Sequence, residues 1–345
     1  MDVFIKVRRR LNVANIVLFG TNQNEFLVIT AEDHDLKINQ TKFSSPELRF
    51  KETSMRLKPA AGQDSLWFRV ELMAGLEIGD RINIEMIATP DFVPRSVLKA
   101  QAPKLRLKED YSIQCRSCSS ILGRMKPERI LPLPSSSWRQ QTQNWFCCVN
   151  KLDAPPDISF KASDILFGPG LCVFREEIFD NDNILLQDLK VKCVCGLCLG
   201  EKIEDTFEIF SHSLEFVSSQ DKTPLNPEMS SFLDNFVCIL SARIEESAQI
   251  MPRFTCVDEN GTKYHIWVVD KHLECYRSSI GETLEKEIVA KVVFTSGPSQ
   301  QASDEIFINK QMMGESIEFF NNSCDKFPND LKFINGSKVA YIKQL

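Results

Sequence analysis

Short runs in which apolar and polar residues alternate fill the first hundred positions. "DVFIKV" (2–7), "NIVLFG" (15–20), "FLVITA" (26–31), "SLWFRVEL" (65–72) and "RINIEMIA" (81–88) are each four to eight residues of strand-forming pattern. Gly, Asn, Asp and Pro separate them, which is the punctuation of an antiparallel sheet or sandwich. "QAPKLRLKEDYSIQC" (101–115) reads as one more strand. The clearest helix lies in "TPLNPEMSSFLDNFVCILSARIEES" (223–247). There Phe232, Phe236, Ile239, Leu240 and Ile244 form one apolar stripe at helical spacing. "RFTCVDENGTKYHIWVVD" predicts a hairpin turning at Asn260-Gly261. "EIVAKVVF", "DEIFIN" and "LKFING" predict strands, and "SIEFFNNSC" a short helix. The predicted fold class is a β-rich α+β protein. Its expected parts are an N-terminal antiparallel sheet domain (1–110), a cysteine-rich zinc region (111–205) and a C-terminal mixed α/β portion (206–345).

Composition narrows the chemistry. With 345 residues, 43% hydrophobic and 26% charged, the chain can bury a core. A net charge of −6 disfavours general nucleic-acid binding, and Arg8-Arg9-Arg10 reads as a solvated strand end. No run approaches the roughly 18 apolar residues of a membrane helix, and "MDVFIKV" does not look like a secretory signal. The expectation is therefore an intracellular protein binding neither nucleic acid nor membrane directly, with 12 cysteines that are not a disulfide framework.

Eight of those cysteines fall between 115 and 200. Cys115-x-x-Cys118 and Cys195-x-x-Cys198 are two knuckles, each able to present two thiolates to one tetrahedral ion, so a structural zinc is predicted. Cys193 lies two residues before Cys195 and could substitute for it. The bland alternatives are two unrelated surface turns or a redox pair, but neither CxxC opens a helix after a strand. The 76 intervening residues exceed any zinc-finger loop, so a shared ion would staple distant stretches together.

"LPLPSSSWRQQTQNWFCC" (131–148) is unusual: an extended proline-punctuated run, a polar Trp-bounded helix capped near Ser136, then two adjacent cysteines. Trp138 and Trp145 share a helical face and read either as interface anchors or as packing on the chain's own zinc lobe. Cys147 and Cys148 read either as metal ligands or as small buried hydrophobes. "GPGLC" (168–172) reads as a turn. No P-loop, G-x-S-x-G or H-E-x-x-H occurs, and none of the four histidines pairs with a cysteine in sequence.

Taken in order, CxxC, "ILPLPSSSW", "WFCC", "DILFG" and "VKCVCGLCLGE" resemble the HECT-like family of proteins that bind ubiquitin-conjugating enzymes. The resemblance implies a ubiquitin ligase that binds a conjugating enzyme and accepts ubiquitin from it, acting in cytoplasm and nucleus. It also implies a role in mRNA 3′-end processing. There the 129–148 segment would enter the active site of a metallo-β-lactamase-type endonuclease, as the tail of the ATM activator protein plugs a related nuclease. Leu131, Pro132, Leu133, Pro134, Trp138 and Trp145 would contact the partner. Cys147, or Cys148 where the family has histidine, would share the partner's zinc. A HECT-type nucleophile near the C-terminus would be Cys324 in "NNSCDKFPND", although the helical lobes of ordinary HECT ligases are not visible. The competing reading is a structural zinc adaptor, or a chaperone of the nuclease, without ligase chemistry.

Overall fold

The computed structural model describes residues 2–20, 26–57, 65–73, 102–133, 161–180, 182–218, 222–224, 231–247, 249–278, 283–296, 303–325, 327 and 329–343. In chain order the strands are β1 (Asp2–Arg8), β2 (Val13–Phe19), β3 (Leu27–Asp33), β4 (Asp35–Ile38), β5 (Thr41–Ser44), β6 (Phe50–Leu57), β7 (Ser65–Glu71), β8 (Tyr111–Cys115), β9 (Ile121–Met125) and β10 (Arg129–Pro132). There follow β11 (Asp164–Gly168), β12 (Leu171–Arg175), β13 (Ile184–Gln187), β14 (Lys190–Cys193), β15 (Cys198–Ile203), β16 (Thr206–Phe210), β17 (Leu214–Val217) and β18 (Lys222–Pro224). The last are β19 (Arg253–Val257), β20 (Lys263–Ser278), β21 (Leu284–Ser296), β22 (Asp304–Phe307), β23 (Phe333–Ile334) and β24 (Ser337–Lys343). The α-helices are α1 (Phe232–Glu246), α2 (Lys310–Asp325) and α3 (Asn329–Lys332). No helix among the described residues is long and apolar enough to cross a membrane.

By its contacts the chain divides into two units. One comprises Met1–Glu85, Ile266–Thr295 and Phe320–Gln344; the other comprises Met86–His265 and Ser296–Phe319, with Leu345. The stretch beyond residue 205 is shared between them. The reason is strand pairing: β20 runs antiparallel to β1, with Lys6 opposite Cys275, and β24 lies antiparallel to β21.

In the first unit β1 also pairs with β2, and β2 with β7, while β3 to β6 form a separate antiparallel sheet. The period-two pattern explains what each face does. Val3, Ile5 and Val7 of β1 join Ala14, Ile16 and Leu18 of β2 in a core closed by Ile29, Leu36, Ile38 and Phe50 of the other sheet. Phe4 points the opposite way, into a second cluster with Cys275, Val289, Phe327 and Tyr341.

In the second unit a seven-stranded sheet, ordered β10-β11-β12-β16-β15-β14-β13, shares one core with the sheet β18-β17-β8-β9. Phe174 and Phe216 stack at its centre, 6.3 Å between ring centroids. The predicted apolar stripe folds as α1: Phe236, Ile239, Leu240 and Ile244 are buried, and Phe232 packs edge-on against His212. Ser231 caps it by accepting from the Asp234 N–H, and the Asp234 carboxylate accepts from the Ser231 N–H in return. The predicted Asn260-Gly261 turn forms, with Gly261 at φ +78° and the Asp258 carboxylate accepting from the Asn260 and Thr262 N–H groups.

Two expectations change, and a third falls on residues that are not described. "QAPKLRLKEDYSIQC" is a strand only over Tyr111–Cys115, because Lys108 turns left-handed (φ +64°) and donates its N–H to the Pro127 carbonyl. "SIEFFNNSC" belongs to a 16-residue helix that starts at Lys310. "RINIEMIA" lies outside the described residues.

Two glycines separate tight packing from open space. A Cβ on Gly200 of β15 would lie 1.9 Å from the Glu208 carbonyl oxygen of β16, whereas a Cβ on Gly314, inside α2, meets nothing within 4 Å. Gly200→Ala is expected to cost at least ~2 kcal/mol, and Gly314→Ala to stabilise by about 0.5–1 kcal/mol. Denaturant midpoints of the two variants check both signs.

Candidate metal centre

β8 ends on Cys115, and the chain then folds into a knuckle. The Ser119 N–H donates to the Cys115 carbonyl and the Cys115 N–H to the Ser120 carbonyl, with Ser119 left-handed at φ +60°. That geometry brings Cys118 back beside Cys115. The second knuckle leaves β14 at Cys193. The Gly196 N–H donates to the Cys193 carbonyl, and the Cys193 N–H to the Leu197 carbonyl. Gly196, at φ +89°, holds the left-handed position that a turn this tight requires. Arg116, inside the first knuckle, donates its side-chain N–H to His212 Nδ1 at 2.7 Å and its backbone N–H to the Ser213 carbonyl. Asn235 of α1 receives the His212 N–H and donates to the Gly170 carbonyl. The knuckle is thereby tied to a buried polar network.

The two turns bring Cys115, Cys118, Cys193 and Cys195 together, every Sγ within 4.8 Å of every other. Cys115 and Cys195 are 3.8 Å apart, and Cys118 and Cys193 3.5 Å. A tetrahedral ion with ~2.3 Å bonds to four sulfurs requires sulfur–sulfur edges of about 3.8 Å. The residues present therefore fit a four-thiolate zinc site, and all four thiols are free.

This set differs from the predicted one at a single position: Cys193 stands where Cys198 was expected. Alternation along the hairpin is the cause. Cys198 opens β15 opposite Lys192, so its side chain shares a face with Lys192 and not with Cys193. Its Sγ lies 3.8 Å from the Gly200 carbonyl instead, and burial pushes its thiol up to about 12. The signal for Cys193 was the C-x-C spacing itself.

Electrostatics within the cluster favour a cation. Burial pushes the Cys115 thiol up to about 11 and drives Cys193 up as well. Exposed Cys118 falls to about 6, chiefly because the Ser120 hydroxyl, 3.2 Å away, stabilises its thiolate. Two desolvated thiols beside a ready thiolate cannot all ionise alone; a divalent cation removes that penalty by neutralising the charges as they form.

Other predicted site residues are placed as follows. Leu133 does not face a partner: it is buried against Leu166 and Val173, because β10 docks parallel on β11 and the Leu133 N–H donates to the Phe167 carbonyl. Leu131 is half-buried and Pro132 exposed. The strand is fixed at its start by Arg129, whose guanidinium grips the fully buried Asp164 carboxylate with two bonds of 2.8 and 2.5 Å. Pro134, Trp138, Trp145, Cys147 and Cys148 lie outside the described residues. Cys324, near the end of α2, is 1% exposed and donates to the Lys332 carbonyl, so its thiol does not open to solvent.

A family model described as HECT-like ubiquitin-conjugating enzyme (E2)-binding matches residues 6–337, and the chain belongs to that family. A mouse protein named as an E3 ubiquitin-protein ligase is 25% identical over 80% of this chain and 73% of its own length. Its rat counterpart of the same name is 22% identical over 78% of this chain and 70% of its own. No solved structure matches.

Purified chain is expected to carry one zinc per molecule by elemental analysis. Cys193→Ser is expected to lose it and more than about 3 kcal/mol of stability. Cys198→Ser is expected to keep its zinc. Because metal binding must displace thiol protons, zinc retention in a chelator titration should weaken as pH falls.

Proposed function

We propose that the protein is a zinc-stapled ubiquitin ligase that binds a ubiquitin-conjugating enzyme and promotes transfer from it as a scaffold, without carrying ubiquitin on Cys324. The family match across residues 6–337 carries this reading, since the family is described by its binding of such enzymes and the mouse and rat relatives are named as ligases. The position of Cys324 sets the mode of action. A nucleophile must meet the incoming thioester, and a thiol 1% exposed within helix α2 is withdrawn from it. In this reading zinc has a structural role: four thiolates close its coordination shell and leave no open position for a substrate.

The test is discharge of ubiquitin-loaded conjugating enzymes. The chain is expected to bind at least one of a panel and accelerate its discharge, with Cys324→Ala as fast as wild type and no thiol-sensitive ubiquitin adduct on the chain. An adduct abolished by Cys324→Ala would overturn the scaffold mode, and binding to no conjugating enzyme would overturn the ligase reading.

A second role rests on the segment beyond Leu133. Two tryptophans and two adjacent cysteines in a polar stretch suit another protein's cleft better than a core. We infer that this segment occludes the zinc endonuclease of mRNA 3′-end cleavage, with the Cys147 or Cys148 thiolate displacing the metal's attacking water. Its consequence is that replacing both cysteines with serine abolishes inhibition of the purified nuclease while zinc content and Tm stay unchanged; full inhibition by that variant would sink it.

A further inference from the structure

The face of the first unit's sheet that carries Phe4 also carries an unusual set of charges. Lys6, two residues on in β1, turns its ammonium toward three rings: 5.4 Å from the centroid of Phe4, 5.5 Å from Trp67 and 5.7 Å from Tyr341. The Arg277 guanidinium lies over Phe4, Phe327 and Tyr341, at 5.0, 4.7 and 5.8 Å. Lys291 of β21 sits directly opposite Tyr341 of β24. Three cations from three strands therefore share one aromatic-walled face.

What answers their charge is sparse. Among the described residues no carboxylate lies within ion-pair distance of Lys6 or Lys291. Glu287 stands 3.9 Å from Arg277 and also 3.9 Å from Lys343. Asp270 acts on Lys291 only at longer range, while Arg8 adds positive charge to both lysines. Cys275 stands opposite Lys6 across the strand pair. Burial, with Lys291 as the next cause, lowers Lys6 to about 8, and burial lowers Lys291 too. The Tyr341 hydroxyl, on a residue 5% exposed, has no hydrogen-bond partner, and neither does the buried Arg277 Nε. Buried donors are ordinarily satisfied, and desolvated ammonium groups are ordinarily paired. Here two lysines, a hydroxyl and a guanidinium share one face, and the hydroxyl and the guanidinium Nε have no hydrogen-bond partner.

We propose that this face binds the phosphate group of a small molecule, with Lys6 and Lys291 as the charged donors and the Tyr341 hydroxyl as the third. Phosphate fits better than a single carboxylate, because the donors come from three strands, β1, β21 and β24, on one face and the joint charge of the two lysines matches a dianion. Trp67, 44% exposed at the rim, offers a surface on which the rest of such a ligand can stack. Cation–π contact holds the Lys6 ammonium in place until then, at a fraction of what an ion pair supplies.

The test is calorimetric titration of the zinc-loaded full chain with sodium pyrophosphate at low salt, beside thermal melts of the same samples. Wild type is expected to bind and to melt higher with pyrophosphate. Lys6→Gln and Lys291→Gln are expected to bind at least about tenfold more weakly, as loss of a charge-assisted bond implies. Each should melt no lower than wild type without the anion, because each removes an unpaired desolvated charge. Tyr341→Phe is expected to weaken binding with little change in Tm. No binding to wild type, or equal affinity in the three variants, would overturn the proposal; if one lysine variant does not fold, the other decides it.

Discussion

Four cysteine sulfurs, drawn from turns 75 to 80 residues apart in the chain, lie within 4.8 Å of one another, and the second unit is built around making that possible. Each partner arrives at the end of a strand: Cys115 closes β8 in one sheet and Cys193 closes β14 in another. Both residues are fully buried, while Cys118 and Cys195 are exposed, so the cluster sits at the edge of the core with one buried and one exposed thiol from each knuckle. Holding two sheets to a common ion restricts the unfolded chain severely, since the loop being closed is long. The Arg129–Asp164 grip ties the start of β10 to the start of β11.

The sheets could be read from alternation wherever one face is buried and the other is not. β1 is the clearest case: Val3, Ile5 and Val7 enter one core and Phe4 another. Alternation shows that such a strand exists, but not which strand it meets. The pairing of β1 with β20, about 270 positions away, depends on shape and register across the folded unit, and no local pattern encodes it. Helix α1 was fully legible because its apolar stripe and the Asn235 contact to Gly170 lie on one continuous surface. α2 was read too short although its cap is local: the Asn309 side chain takes the Met312 N–H, and its amide donates to the distant Cys198 carbonyl.

The metal centre was legible to within one residue. Spacing picked out Cys115, Cys118 and Cys195, and it also raised Cys193. The choice between Cys193 and Cys198 needed strand register, because the two are equally good ligands by residue type and differ only in the face they occupy. Leu133 teaches the same lesson from the opposite direction. In sequence it belongs to a partner-facing run; in space it is the last core residue of β10, covered by Leu166 and Val173. Proline and leucine in an extended stretch suit a sheet edge as well as a foreign cleft, and only the parallel pairing with β11 separates the two.

The two units pose one electrostatic problem with opposite signs. In the second, thiols raised by burial stand beside a stabilised thiolate, and the charge that resolves them is positive. In the first, two lysines lowered chiefly by burial, Lys6 also by Lys291, stand beside a donor without an acceptor, and the charge that resolves them is negative. The chemical outcomes differ because the groups differ. Thiolates are soft ligands that bind zinc through directed bonds, so four of them holding one ion would make a closed, structural site. Ammonium groups make no such bonds and can discharge simply by losing a proton. Such a face can therefore stand empty at modest cost, which suits a ligand that comes and goes. The proposed staple in one unit and the proposed exchangeable anion in the other rest on the same rule: a desolvated like-charge cluster persists only where something of opposite charge, or a change of protonation, completes it.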